Sequence, residues 1–229
     1  MRIIIRVVPV LILCLGATAM QAQTPPSTAQ IAAYDGLHKA AHEGNLDEIN
    51  FLVSRGANVD ARDSSGRTPS HVAAFASNDE ALRALADAGA DMNALEDGLY
   101  DVLTIAAVAN DPELVRLAID LGNRADLITS IYDGTALIAA AHLGHHEVVR
   151  QLVEGGAPLD HVNNLGWTAL MEAVVLGDGG PDHLETVRIL VDAGADIAVP
   201  DRGGVTPLQH AKMRGYDDIV RIIEAAGQK

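Results

Sequence analysis

The sequence has few aromatic residues and a single cysteine. Two Phe, four Tyr and one Trp serve a chain of 229 residues. A core of that make-up has to be built from Ala, Leu, Ile and Val. Such side chains suit closely approaching helices, because Ala and Leu are strong helix formers that add little bulk at a contact. Cys14 lies in a leader-like segment, so the rest of the chain has no thiol. That excludes disulfides, thiolate catalysis and cysteine–zinc sites, and leaves packing alone to stabilise the fold. Positive charge is the other scarcity. Sixteen Lys and Arg stand against 31 Asp and Glu, for a net charge of −15. An acidic surface of this kind repels nucleic-acid phosphates and anionic lipid headgroups, which argues against both as ligands. It would steer a basic protein partner, and it also serves solubility.

The first 22 residues read as an export signal. Arg2 and Arg6 form a positive start, Val7 to Leu15 an apolar stretch, and Ala17-Thr18-Ala19 a small-x-small cleavage site. Cleavage after Ala22 is the alternative, with Met20 poorly suited three positions before it. The apolar run is shorter than the roughly 20 residues a spanning helix needs. Lipidation at Cys14 is disfavoured by Leu13, where a small residue is expected. Loss of the leader removes two Arg and no acid, taking the net charge from −15 to −17. Residues 23–33 then form a linker and N-terminal cap, with Pro25-Pro26 as a flexible tether and Ser27 to Ala33 supplying part of a helix. The mature chain is expected in the periplasm or outside the cell.

What the sequence does have is a period. One slot, occupied by Asp35, Thr68, Asp101, Thr135, Thr168 and Thr206, recurs at intervals of 33, 33, 34, 33 and 38 residues. After each slot come small apolar residues such as Leu137-Ile138-Ala139-Ala140-Ala141, which predict a short first helix. Nine residues past the slot stands Gly44, Ser77, Asn110, Gly144, Gly177 or Gly215, suited to ending that helix in a left-handed conformation. A second helix follows with apolar residues at helical spacing, for example Val148, Val149, Leu152 and Val153, and ends at Gly56, Gly89, Gly122, Gly156, Gly194 or Gly227.

Thr68-Pro69-Ser70-His71-Val72-Ala73 and Thr206-Pro207-Leu208-Gln209-His210-Ala211, with Gly56-Ala57-Asn58, Gly89-Ala90-Asp91 and Gly194-Ala195-Asp196, resemble the ankyrin-repeat signature. The resemblance implies an all-α repeat solenoid of stacked helix-turn-helix units with protruding β-turn loops. Its six repeats would span 34–66, 67–99, 100–133, 134–166, 167–204 and 205–229. It further implies a non-enzymatic protein-binding module, with no cofactor, that meets its partner through the concave face of loops and first helices. A monomer is expected. Repeat three departs from the pattern, with Asp101-Val102 for Thr-Pro and Gly122-Asn123 for Gly-Ala. Repeat five inserts Asp178-Gly179-Gly180-Pro181-Asp182, and such insertions often mark binding features.

No G-x-S-x-G, phosphate-cradling glycine loop or H-E-x-x-H motif is present, since His146-Glu147 is followed by Arg150 where a second ligand would stand. The resemblance gives His38 and His71 framework hydrogen bonds and places His145 at the opening of a second helix. That leaves His142 and His146 free for a metal or small ligand, the alternative function. The candidate partner-binding residues are apolar and aromatic groups on the loop tips: Leu95, Leu99 and Tyr100, then Ile128, Ile131 and Tyr132, then Trp167. They are expected to form one ridge, since exposed neighbouring apolar groups mark contact patches. The plainer account of Trp167 is that it covers the tip below it.

Overall fold

The computed structural model describes residues 23–228; residues 1–22, read above as an export signal, and Lys229 lie outside them. Thirteen helices are formed among the described residues. Helix α1 (Thr28–Ala33) precedes six pairs: α2 (Gly36–Glu43) and α3 (Leu46–Ser54), α4 (Pro69–Phe75) and α5 (Asp79–Asp87), α6 (Val102–Val108) and α7 (Pro112–Asp120), α8 (Ala136–Leu143) and α9 (His146–Glu154), α10 (Ala169–Val175) and α11 (Pro181–Asp192), α12 (Pro207–Arg214) and α13 (Asp217–Ala226). The first members of the pairs stack on one another from α2 to α12. The second members form the layer behind, with α7, α9, α11 and α13 in succession.

Each slot residue is the N-cap of a first helix, with extended backbone. The cap side chain accepts from the amide three residues on at Asp101 (2.8 Å), Thr135 (3.3 Å), Thr168 (3.2 Å) and Thr206 (3.3 Å), satisfying a donor that the helix itself leaves unpaired. In repeat two the third residue does the work. The Thr68 amide donates to His71 Nδ1 (3.1 Å), and His71 Nε2 donates to the carbonyl of Tyr100 in the next repeat (3.1 Å). Because Nδ1 accepts a backbone N–H, the ring is held neutral, and burial lowers its pKa to about 4. Gln209 plays the same part in repeat six, its Oε1 accepting from the Thr206 amide (2.8 Å).

Alanine sets the spacing of the first-helix layer. Ala40 and Ala41, Ala73 and Ala74, Ala106 and Ala107, and Ala140 and Ala141 are all buried where neighbouring first helices meet. Larger side chains, among them Leu82, Leu114, Leu152 and Leu190, fill the space between the layers. Polar bridges then tie repeats two, four and five to the one before. Asn78 donates to the carbonyls of Ala41 (3.0 Å) and His42 (2.7 Å), His145 Nδ1 to Ala107 (2.9 Å), and His183 Nε2 to His142 (3.1 Å). These side chains satisfy carbonyls left open at the ends of first helices.

The left-handed residue nine positions past the slot is present at Gly44, Ser77, Asn110, Gly144 and Gly215. Repeat five differs, for there the left-handed residue is Gly179 in place of Gly177. Asp178, Pro181 and Asp182 of its insertion are exposed, and the segment is tied to its surroundings, with His183 bonded to Asp178 (3.0 Å) and the Tyr216 hydroxyl donating to Gly177 (3.0 Å); α11 grows to 12 residues against nine in α9. The Pro25-Pro26 segment is a second correction. The residues before it are not a loose tether, since Gln23 is buried and the Thr24 carbonyl accepts from Arg67 Nη2 at 2.7 Å.

The departures in repeat three prove to be one feature. Asn123 Nδ2 donates to Asp101 Oδ2 (2.7 Å), Asn123 Oδ1 accepts from the Leu103 amide (3.0 Å), and the Thr104 hydroxyl donates to Asp101 Oδ1 (2.6 Å). Asp101, Thr104 and Asn123 are all buried. Replacing one residue therefore orphans another. In urea unfolding, Asp101→Thr and Asn123→Ala should each cost about 1–3 kcal/mol, and the double variant less than their sum by on the order of 1 kcal/mol. Simple additivity would refute the coupling.

A pH dependence follows from His71. The unfolded ring takes up a proton near pH 6.5 and the folded ring only near 4. The contribution is thus complete above pH 6.5 and is lost as pH falls towards 4, by up to roughly 3 kcal/mol. His71→Gln, which can rebuild the box seen at Gln209, should flatten that part of the stability profile.

Candidate functional site

The residue just before each N-cap stands at the head of a first helix, giving the series Tyr34, Arg67, Tyr100, Gly134, Trp167 and Val205. Tyr34 donates to Asp63 Oδ2 (3.2 Å), and Arg67 is buried with its guanidinium 5.5 Å from the Phe75 ring centre. At Gly134 the series has no side chain. A cavity of about 270 Å³ opens there between α6, α8 and α10. Glycine is needed here for space, since its φ is ordinary and a Cβ would meet Ser130 Oγ at 2.9 Å.

Val108, Ile138 and Leu143 supply apolar wall, and Tyr100 and Tyr132 both line the cavity. Burial, with Glu96 and Tyr132 adding to it, raises the Tyr100 hydroxyl above its ordinary pKa, so it stays a neutral phenol at neutral pH. The polar end belongs to Glu172 of α10, whose side chain is 1% exposed. Its Oε1 accepts from Asn163 Nδ2 (2.9 Å) and its Oε2 from His142 Nδ1 (3.1 Å). Asn163 in turn holds the loop tip before α10, its Oδ1 accepting from the amides of Leu165 (3.0 Å) and Trp167 (3.0 Å). One buried carboxylate is therefore positioned by both the tip and the neighbouring first helix.

The predicted ridge residues divide into three groups. Leu99, Ile128 and Ile131 are exposed, at 42%, 51% and 50%. Tyr100 and Tyr132 are half-buried and share the cavity. Leu95 and Trp167 are half-buried and outside the cavity lining, and the Leu95 carbonyl accepts from Arg62 Nη1 (2.6 Å). Neighbouring tips are laced together, since the Asn164 amide donates to the Tyr132 carbonyl (2.9 Å) and Asn164 Nδ2 to that of Ile131 (3.1 Å). Sequence reasoning missed exposed Leu165 and Val162, and it missed Glu172. A carboxylate inside the apolar run Leu170-Met171-Glu172-Ala173 was the available signal.

The histidines need one correction. His142 is not free, because it is committed to Glu172 in the first-helix layer. His146 stands 3.6 Å from Asp182 of α11 in the layer behind, so the two have separate partners. Among the described residues no group of three or more His, Cys, Asp or Glu is placed to hold a metal ion. No helix among them is long and apolar enough to cross a membrane.

Known proteins agree with this architecture. A family model for ankyrin repeats matches residues 9–96 and 103–201. The ankyrin repeat protein YahD of Escherichia coli (strain K12) is 36% identical over 97 residues, or 42% of this chain and 48% of YahD. The chain thus spans about half the length of that relative. Among solved structures, an ankyrin repeat domain from Acinetobacter baumannii AYE superposes with a TM-score of 0.78 at 41% identity, covering 83% of this chain and 97% of that one. The ankyrin repeat domain of Bcl-3, described as a member of the IkappaB protein family, gives a TM-score of 0.75 at 28% identity over 85% and 87%. The chain belongs to the ankyrin-repeat family. Ankyrin repeats are protein–protein interaction modules, a fold that is typically non-enzymatic.

Proposed function

We propose that this protein is an exported, non-catalytic binding module that grips a protein partner through the concave layer of repeats three to five. One observation carries the reading: exposed Leu165 lines a cavity whose polar end is a buried carboxylate, and exposed Leu99, Ile128 and Ile131 each adjoin in sequence a residue that lines it. An apolar rim around a recessed polar anchor is the arrangement in which a few buried contacts supply most of the binding energy. The partner would present a basic surface, because the strong net negative charge, −15 with the leader and −17 without its two Arg, raises the encounter rate with positive patches. Such a module would act by occluding that surface as a monomer without a cofactor. The envelope as its compartment rests on the N-terminal leader pattern.

Two outcomes are expected. In a pull-down from envelope extract, a variant with Leu99→Ser, Ile128→Ser and Ile131→Ser should keep its helical circular dichroism and lose the partner held by the parent chain. Capture of the same proteins by both would place the binding face elsewhere. For the purified pair, the association rate should fall at least tenfold between low and physiological salt, and a rate indifferent to salt would remove the electrostatic part.

A further inference from the structure

Gln23 and Thr24 lie on this same concave layer. Gln23 is 9% exposed and forms one wall of the cavity. Its side-chain nitrogen is buried there without a hydrogen-bond partner. The Thr24 carbonyl is gripped by buried Arg67 at the start of repeat two, and Gln30 Nε2, just beyond the Ser27 cap of α1, donates to Ser65 on the loop tip that leads into it (2.9 Å). Pro25 and Pro26 between these anchors have restricted φ and no amide to satisfy. Residues 23–26 therefore run as a strap from α1 past the head of repeat two to the cavity of repeats three to five.

We infer that this layer is a receptor for an extended peptide that delivers one Lys or Arg side chain to the cavity at Glu172, and that residues 23–26 occupy the peptide's track as the chain's own competitor. The inference rests on the concave-face reading above and narrows it to a ligand chemistry. A carboxylate offers about four acceptor directions, and Asn163 and His142 use two of those of Glu172. The apolar walls suit the methylene stem of a long basic side chain, and the rings of Tyr100 and Tyr132 suit its charged head. Gln23 meets these demands poorly. It is shorter and neutral, and its buried amide nitrogen is unpaired, which costs free energy in the seated state. The strap holds its place through attachment, since a short tether gives an effective concentration in the millimolar range. A stronger peptide displaces it.

The test uses the chain beginning at Gln23, which carries every described helix. Acetyl-Gln-Thr-Pro-Pro-Ser-Thr and two analogues with Arg or Glu in first place are titrated calorimetrically into it. The Arg peptide should bind at least tenfold tighter than the Gln peptide, and the Glu peptide should not bind. Gln23→Ser in the protein should tighten the Arg peptide about tenfold by weakening the competitor. Glu172→Gln should erase the preference for Arg. Should that variant unfold, Leu143→Lys decides the matter: Leu143 lines the cavity and is 41% exposed, so a cation there should abolish the preference without disturbing the core. Equal affinities for the three peptides, a preference that survives Leu143→Lys, or no response to Gln23→Ser would overturn the inference. If no peptide binds while the loop-tip variant still loses its partner, the cavity assignment falls and the concave-face reading stands. If that variant also keeps its partner, both fall.

Discussion

Close approach of the first helices is the constraint on which the rest of this structure depends. A helix pair of this length cannot cover its own apolar face, so each repeat is stable only against its neighbours. The paired alanines of successive first helices allow that contact by keeping side chains short where backbones meet. Larger side chains would hold the layer apart, and the interrepeat hydrogen bonds would lose their geometry. Those bonds run consistently from one repeat to the next: Asn78 to Ala41 and His42, His145 to Ala107, His183 to His142. Polar side chains in this stack act as connectors between units that apolar packing has already brought together.

The same constraint produces the candidate site. When units are held at fixed spacing, a change at one position cannot be absorbed by sliding the stack. Gly134, where the series of residues heading the first helices has no side chain, lines a cavity that the stack leaves open. The carboxylate at its end tolerates burial because two donors, one on α8 and one on the loop tip before α10, are aimed at it. Leu99, Ile128 and Ile131 pay for no part of the core, and their exposure on successive tips leaves apolar surface available to a partner.

Local chemistry was the legible part of the sequence. The recurring Thr or Asp slot predicted helix starts because capping depends on a side chain and an amide three residues away; all six slots stand at the N-cap of a helix, and at Asp101, Thr135, Thr168 and Thr206 the side chain accepts from that amide. The left-handed ends at Ser77 and Asn110 followed from spacing alone. Contacts between residues far apart in sequence were not legible. The Pro25-Pro26 segment read as a tether because nothing nearby reveals that Arg67, 43 positions from Thr24, waits to hold it. His142 read as free because its partner lies 30 residues away, in the next repeat. Asp101 and Asn123 read as two lapses from a pattern, and only their 2.7 Å contact makes them a single buried pair. The histidine-based alternative loses its footing at the same point, where an apparent surplus side chain turns out to be employed.

The central claim is that binding takes place on the first-helix layer around the cavity of repeats three to five. Hydrogen exchange followed by mass spectrometry, on the chain alone and with its captured partner, tests this most directly. The account predicts slower exchange in the tips and first helices spanning 95–108, 128–143 and 162–175, with α7, α9 and α11 unchanged. Protection confined to those second helices would contradict it.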